Sequence, residues 1–187
     1  MGTEISLFPD DWTGIQEVGT DAFSECRNIE ELPRGILFVS AERLGYDIFR
    51  GCSIREVQGD WGELTFIPKG FLRQNPLFTI PDTWGSVTSI LEEAFYECFL
   101  KEIPKDWGNV AIVQAWAFSI NRIVRVPEDF SNIIFIGPGA FSCNMIDVIP
   151  DIKGGFPLED RFSGQGGFPL NRSHIRLEEA YSELPGY

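Results

Sequence analysis

Side chains that carry most enzyme chemistry are scarce in this chain. Histidine occurs once, at His174, so a mechanism or metal site that needs two histidines is excluded. The four cysteines occur singly, at Cys26, Cys52, Cys98 and Cys143. Structural zinc sites instead use cysteines in closely spaced pairs. We therefore predict no catalytic residue, no metal site and no cofactor, and we expect that the protein is not an enzyme.

The charge balance limits the partners. The 187 residues include 28 acids and 15 bases, which gives a formal net charge of −13 and a pI of about 4.4. A surface of this sign repels phosphate, so direct nucleic-acid binding and anionic membranes are disfavoured. The first nine residues contain neither the basic segment nor the apolar run of a secretory signal. We expect a cytoplasmic protein, or part of a particle assembled in the cytoplasm.

An internal repeat of 23 to 25 residues organises most of the chain. Each unit aligns on an apolar residue, here called the anchor, which is usually followed by proline. The anchors are Phe8, Leu32, Val57, Ile80, Ile103, Val126 and Ile149. A unit this short cannot bury a core by itself, so successive units have to stack as the coils of a solenoid. The sequence therefore predicts six repeats and the opening of a seventh.

Other columns keep the same register. An aromatic residue stands four positions after the anchor, at Trp12, Trp61, Trp84, Trp107 and Phe130. In four of the units an Ala-Phe pair follows, as in Ala94-Phe95. We expect the tryptophan column to lie in the core and the small residue to mark a tight helical or 3₁₀ corner. Trp116 lies outside the column, and we expect it to be more exposed.

The complete motif resembles the BspA-type leucine-rich repeat. Residues 80–100, IPDTWGSVTSILEEAFYECFL, match that repeat almost column for column, and the resemblance covers about residues 7–152. It implies a mainly β repeat solenoid with little helix, built from short parallel strands and short helical or 3₁₀ turns. It also implies binding, often to other proteins, rather than catalysis. We place the solenoid at residues 1–152, followed by a Gly/Phe/Pro arm and a short helix at 153–187.

The cysteines fall in or beside one column of the repeat. Other units carry Asn75, Asn121 and Asn144 in the equivalent position, so we interpret the column as a buried ladder of small, weakly polar residues. Cys26 and Cys52 belong to adjacent coils, where stacked residues are about 5 Å apart, so a disulfide is geometrically feasible. Without a secretory signal we expect free thiols.

Acidic residues collect two and three positions after the anchors. From this column we select Asp82, Asp106 and Asp129 as candidate binding residues. Aspartate is favoured where a chain turns after a strand. The same side chains would also form an edge that meets a basic partner or divalent cations. The sequence leaves both interpretations open.

A second candidate surface consists of the two rows that precede the anchors. The proline after the anchor fits the end of a short strand, because proline removes a donor from the strand ladder. Side chains just before it would then point outward onto an extended face that can bind a partner. The selected residues are Glu31, Glu56, Phe78, Thr79, Lys101, Glu102, Val124 and Arg125. The alternative is a solvated face without a partner.

Residues 153–187 depart from the repeat and contain a second, shorter one. Gly-Gly-Phe-Pro-Leu occurs twice and supplies four further candidate binding residues: Phe156, Leu158, Phe168 and Leu170. These hydrophobic tabs would either dock on a partner or fold back to cap the last coil. Residues 173–184 are predicted to form a short helix.

Three functions remain compatible with the sequence. The leading hypothesis is a non-enzymatic protein-binding solenoid that acts as an accessory or structural subunit of a larger assembly, such as a virion or a complex. Its partners would be other proteins or neighbouring copies of the chain. The second hypothesis is an acidic mimic of nucleic acid that inhibits a basic nucleic-acid-binding protein. The third is a bacterial surface adhesin-type module without its signal.

Overall fold

The computed structural model describes Phe8, Trp12, residues 14–127 and residues 129–146. Regular structure within these ranges consists of short pieces. Two 3₁₀ helices, Arg34–Phe38 and Ala41–Arg43, lie in the divergent second repeat. Four strands follow: β1, Phe66–Ile67; β2, Ser89–Ile90; β3, Ile112–Val113; and β4, Phe135–Ile136. The prediction of a repeat fold with short strands and little helix is confirmed at this level.

The four strands form one parallel sheet in chain order. Each strand pairs with its equivalent in the next repeat, as Ile67 does with Ile90 and Ile90 does with Val113. The second residue of each strand is buried, and the first is half-buried or exposed. Isolated parallel bridges join Val18 to Leu44 and Glu56 to Thr79. The same stacking therefore operates beyond the four strands.

The corner of each repeat contains two residues with left-handed backbone, four positions apart. One column consists of Asp21, Asp47, Gly70, Glu93, Trp116 and Gly139. The other consists of Glu25, Gly51, Gln74, Glu97, Ile120 and Cys143. Side chains other than glycine adopt this backbone only at a cost of about 1 kcal/mol or more. Something in the stack has to offset that cost at every repeat.

Hydrogen bonds between neighbouring corners provide the compensation. The N–H of Phe95 donates to the Ala117 carbonyl in the next repeat (N···O 2.8 Å), whereas the N–H of Tyr96 donates within its own turn to Glu93 (3.0 Å). The N–H groups along the corner thus alternate between neighbouring repeats and their own turn. Each corner therefore serves as the template for the corner stacked on it.

The core consists of stacked columns of identical side chains. The Trp61 and Trp84 rings stack at 5.7 Å between centroids, and Phe118 and Phe141 stack at 5.3 Å. The whole predicted tryptophan column is buried, together with the alanine that precedes each corner phenylalanine from Ala94 onward. Trp116 is half-buried, as expected for a position outside the column. In the second and third repeats, Ile48 and Phe71 occupy the alanine position and are also fully buried.

A polar ladder runs through this core. The Asn121 Nδ2 donates to the Phe95 carbonyl of the previous repeat (2.8 Å) and to the Phe118 carbonyl of its own repeat (3.1 Å). Its Oδ1 accepts from the Leu100 N–H (3.0 Å). Asn75 and Asn144 each make the same set of bonds, to the preceding repeat and to their own repeat. One asparagine side chain thus ties together the backbone of two repeats.

Cysteine replaces asparagine in part of this ladder. The Cys98 Sγ donates to the Leu72 carbonyl at 3.2 Å, and the Cys52 Sγ donates to the Phe23 carbonyl at 3.1 Å. Cys143 lies one position before the ladder, and Asn144 occupies the ladder position. All four cysteines are free thiols in the structure.

We expect Asn121→Ala to lower the free energy of unfolding by about 3 kcal/mol, because the buried Leu100 N–H and the buried Phe95 and Phe118 carbonyls lose a hydrogen-bond partner. Asn132→Ala is the matched control, since the exposed Asn132 side chain makes one bond, to the Gly108 carbonyl. Its cost should stay below about 1 kcal/mol. Urea unfolding of both variants measures the difference. Equal costs would show that the ladder does not stabilise the stack.

The tryptophan column generates a second prediction. Within the described residues, the Nε1 atoms of Trp61, Trp84 and Trp107 are buried without a hydrogen-bond acceptor. The last repeat carries Phe130 in the same column. We therefore expect Trp107→Phe to cost less than about 1.5 kcal/mol, because it removes an unsatisfied donor along with some contact area.

Trp107→Ala provides the comparison, with an expected cost of about 3–5 kcal/mol from the cavity it leaves. Thermal unfolding followed by circular dichroism measures both variants. A phenylalanine variant as unstable as the alanine variant would indicate that the indole N–H has a partner.

Candidate functional site

The rows before the anchors form one continuous surface, which we call the anchor face. Backbone hydrogen bonds join its repeats, since the N–H of Phe78 donates to Arg55 (2.8 Å) and that of Val124 donates to Lys101 (3.3 Å). Most of the predicted side chains are exposed, and Val124 is half-buried. The exposed ones are Glu31, Glu56, Phe78, Thr79, Lys101, Glu102 and Arg125. The structure therefore brings these residues side by side.

The expected position of the sheet was wrong. Strands β1–β4 lie nine and ten positions after the anchor, and the anchor rows contribute only the Glu56–Thr79 bridge among the described residues. The reason is the proline, which supplies no N–H and interrupts the ladder at this point. Segments such as Thr88–Ile90 contain no proline, and their N–H groups can pair with the neighbouring repeats. The main sheet therefore forms there.

An aromatic cluster lies at the middle of the anchor face. Phe78 is 44% exposed and Phe99 is 37% exposed, and their ring centroids are 5.8 Å apart. The Arg122 guanidinium lies over the Phe99 ring at 4.7 Å, within the range of a cation–π contact. Sequence reasoning missed Phe99 and Arg122. They could have been found from the two-residue period of extended chain. Residues two and four positions before an anchor point the same way, so Phe99 and Arg122 belong to the same face as Phe78.

Positive charge collects beside this cluster. Lys101, Arg122 and Arg125 are all exposed, and Glu102 is the acidic neighbour in the same rows. Among the described residues none of the three cations forms an ion pair. Among the described residues, three positive charges and one negative charge lie at this end of the anchor face, although the whole chain has a net charge of −13.

The acidic positions after the anchors act mainly in turns. The Asp106 Oδ1 accepts from the Gly108 N–H at 2.8 Å, and the Asp129 Oδ1 accepts from the Ser131 N–H at 2.8 Å. Asp82 stands one position earlier in its repeat and is exposed. In the described ranges, no group of three or more histidine, cysteine or acidic side chains is placed to hold a metal ion. The turn interpretation accounts for Asp106 and Asp129.

The apolar end of the sheet was not anticipated. In the column just before the strands, the outward side chains change along the stack from Thr65 and Thr88 to Ala111 and Ile134, whereas the first strand residues are Phe66, Ser89, Ile112 and Phe135. Ile134 is 63% exposed and Phe135 is 42% exposed. We call the surface formed by Ala111, Ile112, Ile134 and Phe135 the sheet patch.

Ion pairs between repeats line the corner. Lys69 Nζ lies 2.7 Å from a Glu92 oxygen, and Arg50 lies 3.0 Å from a Glu25 oxygen. Burial raises the pKa of Glu93, which nevertheless pairs with Arg73 at 2.5 Å. Most of the charges in this surface are therefore paired across repeats.

Two of the cysteines, Cys52 and Cys98, are poorly suited to nucleophilic chemistry. Burial raises the pKa of Cys52 and of Cys98 to about 12. Because the thiolate is the reactive form, both thiols stay protonated and inert at neutral pH.

Near the first repeats, the anchor face borders a cavity of about 40 Å³ lined by Glu31, Arg34 and Glu56 among others. This volume holds one or a few water molecules and is far below the roughly 300 Å³ of a small-molecule site.

The tab residues Phe156, Leu158, Phe168 and Leu170 lie outside the described residues, as does the predicted helix at 173–184.

A family model, the BspA-type leucine-rich repeat region, matches residues 7–124 and 72–150 with six copies. The chain belongs to the BspA-type leucine-rich repeat family. No curated protein and no solved structure matches the sequence. Repeats of this family generally mediate protein–protein binding, which identifies the chain as an interaction repeat at that level. In the part of this leucine-rich repeat chain that the structure describes, no helix is long and apolar enough to cross a membrane.

Asp47 of this leucine-rich repeat chain is the basis of a prediction about how the free energy of unfolding depends on pH. Its Oδ1 is buried without a described partner, and burial raises its pKa above the ordinary 3.8, despite the opposing effect of Arg73. When the pKa of an acid is higher in the folded state than in the unfolded state, the free energy of unfolding falls as the pH rises from 3.8 through the pKa of the folded state. We expect Asp47→Asn to remove this loss, and asparagine tolerates the left-handed backbone at this position.

Unfolding in urea between pH 4 and pH 8 tests this prediction. At pH 7 the free energy of unfolding of Asp47→Asn should be unchanged or higher by less than about 1 kcal/mol. Asp21→Asn is the matched control, because Asp21 occupies the same column and is exposed. A loss of more than about 1 kcal/mol on Asp47→Asn at pH 7 would show that the ionised carboxylate is stabilising.

Proposed function

We propose that this chain is a non-enzymatic protein-binding solenoid that serves as an accessory or structural subunit of a larger assembly, such as a virion or a multiprotein complex. Family membership supports the binding role. The reactive side chains support the absence of catalysis, because the Cys52 and Cys98 thiols are held protonated by burial. The chemistry available on the surface is that of recognition.

The observation that carries this proposal is the sheet patch. Ile134 and Phe135 are exposed next to Ala111 and Ile112, which are half-buried. Contiguous exposed apolar side chains on a soluble protein are typical of a protein-binding site. The parallel hydrogen bonds Ile134 N–H to Ala111 O (2.8 Å) and Gly137 N–H to Val113 O (2.7 Å) hold this patch rigid. A rigid surface loses little conformational entropy when it binds.

The experiment is a capture of partner proteins from the natural source with the full chain as bait, at low and moderate salt. The test variant is Ile134→Asp, which places a charge at the centre of the sheet patch. The matched control is Phe38→Asp, because Phe38 is similarly exposed at 58% but lies in the 3₁₀ helix Arg34–Phe38. We expect the amount of captured protein to be unchanged at moderate salt. It should fall at least tenfold with Ile134→Asp and not with Phe38→Asp.

Two results would contradict the proposal. Equal capture by the wild-type chain and Ile134→Asp would exclude the sheet patch as the binding surface. Salt-labile capture of basic proteins, insensitive to both substitutions, would instead indicate an acidic mimic of nucleic acid, because exposed charge interactions are screened by salt.

A further inference from the structure

A second surface, independent of the sheet patch, combines aromatic rings with positive charges that form no ion pair with another described residue. It consists of Phe78, Phe99, Lys101, Arg122 and Arg125 on the anchor face, and we call it the basic-aromatic patch. Phe78, Lys101 and Val124 occupy one row, one repeat apart, at a spacing of about 5 Å. The Phe78 and Phe99 rings are in contact at 5.8 Å, and Arg122 covers part of the Phe99 ring.

The chemistry of this patch selects a particular kind of segment. Exposed aromatic rings form a platform for apolar side chains and for proline, whose ring docks against aromatic grooves. Arginine offers a planar fork to a carboxylate, and lysine supplies a further point charge. A matching ligand therefore carries aromatic or proline residues directly followed by acids.

This chain contains such a segment. Residues 156–160 read Phe-Pro-Leu-Glu-Asp, with the two acids immediately after the apolar tab. The second tab, residues 168–172, reads Phe-Pro-Leu-Asn-Arg and has the same apolar residues with a base in place of the acids. Residues 156–160 thus match the charge of the patch, and residues 168–172 do not.

The connecting chain is long enough for the contact to occur within one molecule. The Met145 N–H donates to the Ile123 carbonyl at 2.9 Å, so the described chain ends one repeat beyond Arg122 on the same surface. Lys101 lies about two repeats from that end, or roughly 10 Å. The family match ends at residue 150, and the nine residues from 151 to Glu159 span up to about 30 Å. A tether of this length gives an effective concentration of roughly millimolar, so a weak contact suffices.

We propose that residues 156–160 dock in cis on the basic-aromatic patch, with Phe156 and Leu158 against Phe78 and Phe99 and with Glu159 and Asp160 facing the cations. The occupant of this surface is then the chain's own arm. A free partner would reach the patch only after displacing the arm.

The test is zero-length carboxyl-to-amine cross-linking of the full chain, followed by peptide mass spectrometry. We expect amide bonds from Lys101 to Glu159 or Asp160 at a yield at least tenfold above those from Lys105. Lys105 is an internal control, because it is exposed and lies four residues along the chain, beyond the anchor and outside the patch. The Lys101 yield should fall at least fivefold in Phe99→Ala and in Arg122→Glu, and should be unchanged in Phe168→Ala.

Each other result overturns the proposal. Equal yields from Lys101 and Lys105, or a Lys101 yield insensitive to both patch variants, would show that the arm does not dock there. Links between isotope-labelled and unlabelled chains in a mixed sample would assign the patch to a contact between copies. Thermal unfolding checks that Phe99→Ala and Arg122→Glu fold. Ile134→Asp should leave the cross-link unchanged, so failure of this proposal is distinguishable from failure of the sheet-patch proposal.

Discussion

Hydrogen bonds from one repeat to the next hold this molecule together. A unit of 23 residues contributes only two residues to the sheet, far too few for an independent strand pair. The same spacing between repeats recurs in the sheet, at the anchor rows and along the corners. Shifting one repeat by that spacing therefore pairs the backbone N–H and C=O groups at all three places. Identical side chains are thereby stacked, and for this reason the core consists of columns of tryptophan, phenylalanine and asparagine. The repeats are regular because each one must fit its neighbours.

That constraint explains features that would be costly in isolation. Trp116 and Ile120 adopt left-handed backbone, a conformation that bulky residues rarely take. Both lie in the corner, and the N–H of Ile120 donates to the Ser142 carbonyl of the next repeat at 3.0 Å. Asn121 then satisfies groups of two repeats with one side chain. Local strain is tolerated because the hydrogen bonds between repeats require that conformation.

Much of this architecture was predictable from the sequence, because a column leaves the same trace in every repeat. The buried tryptophans and the cysteine–asparagine ladder follow from register alone. The sheet was misplaced because the anchor proline was taken as the end of a strand, whereas its missing N–H keeps the main ladder away from that position. Phe99 and Arg122 escaped notice because they are neither recurrent nor adjacent to an anchor. Features that occur in single repeats leave no periodic signal, and the exposed surfaces consist of such features.

Charge shows how single-repeat features determine recognition. Columns of like charge about 5 Å apart would repel, and the corner avoids this by pairing Arg50 with Glu25 and Lys69 with Glu92 across repeats. On the anchor face Lys101, Arg122 and Arg125 form no ion pair with another described residue. An acidic segment is therefore repelled by the net charge of −13 of the molecule as a whole and attracted locally to this region. The overall charge thus favours orientations of an acidic ligand that place it against such a basic region.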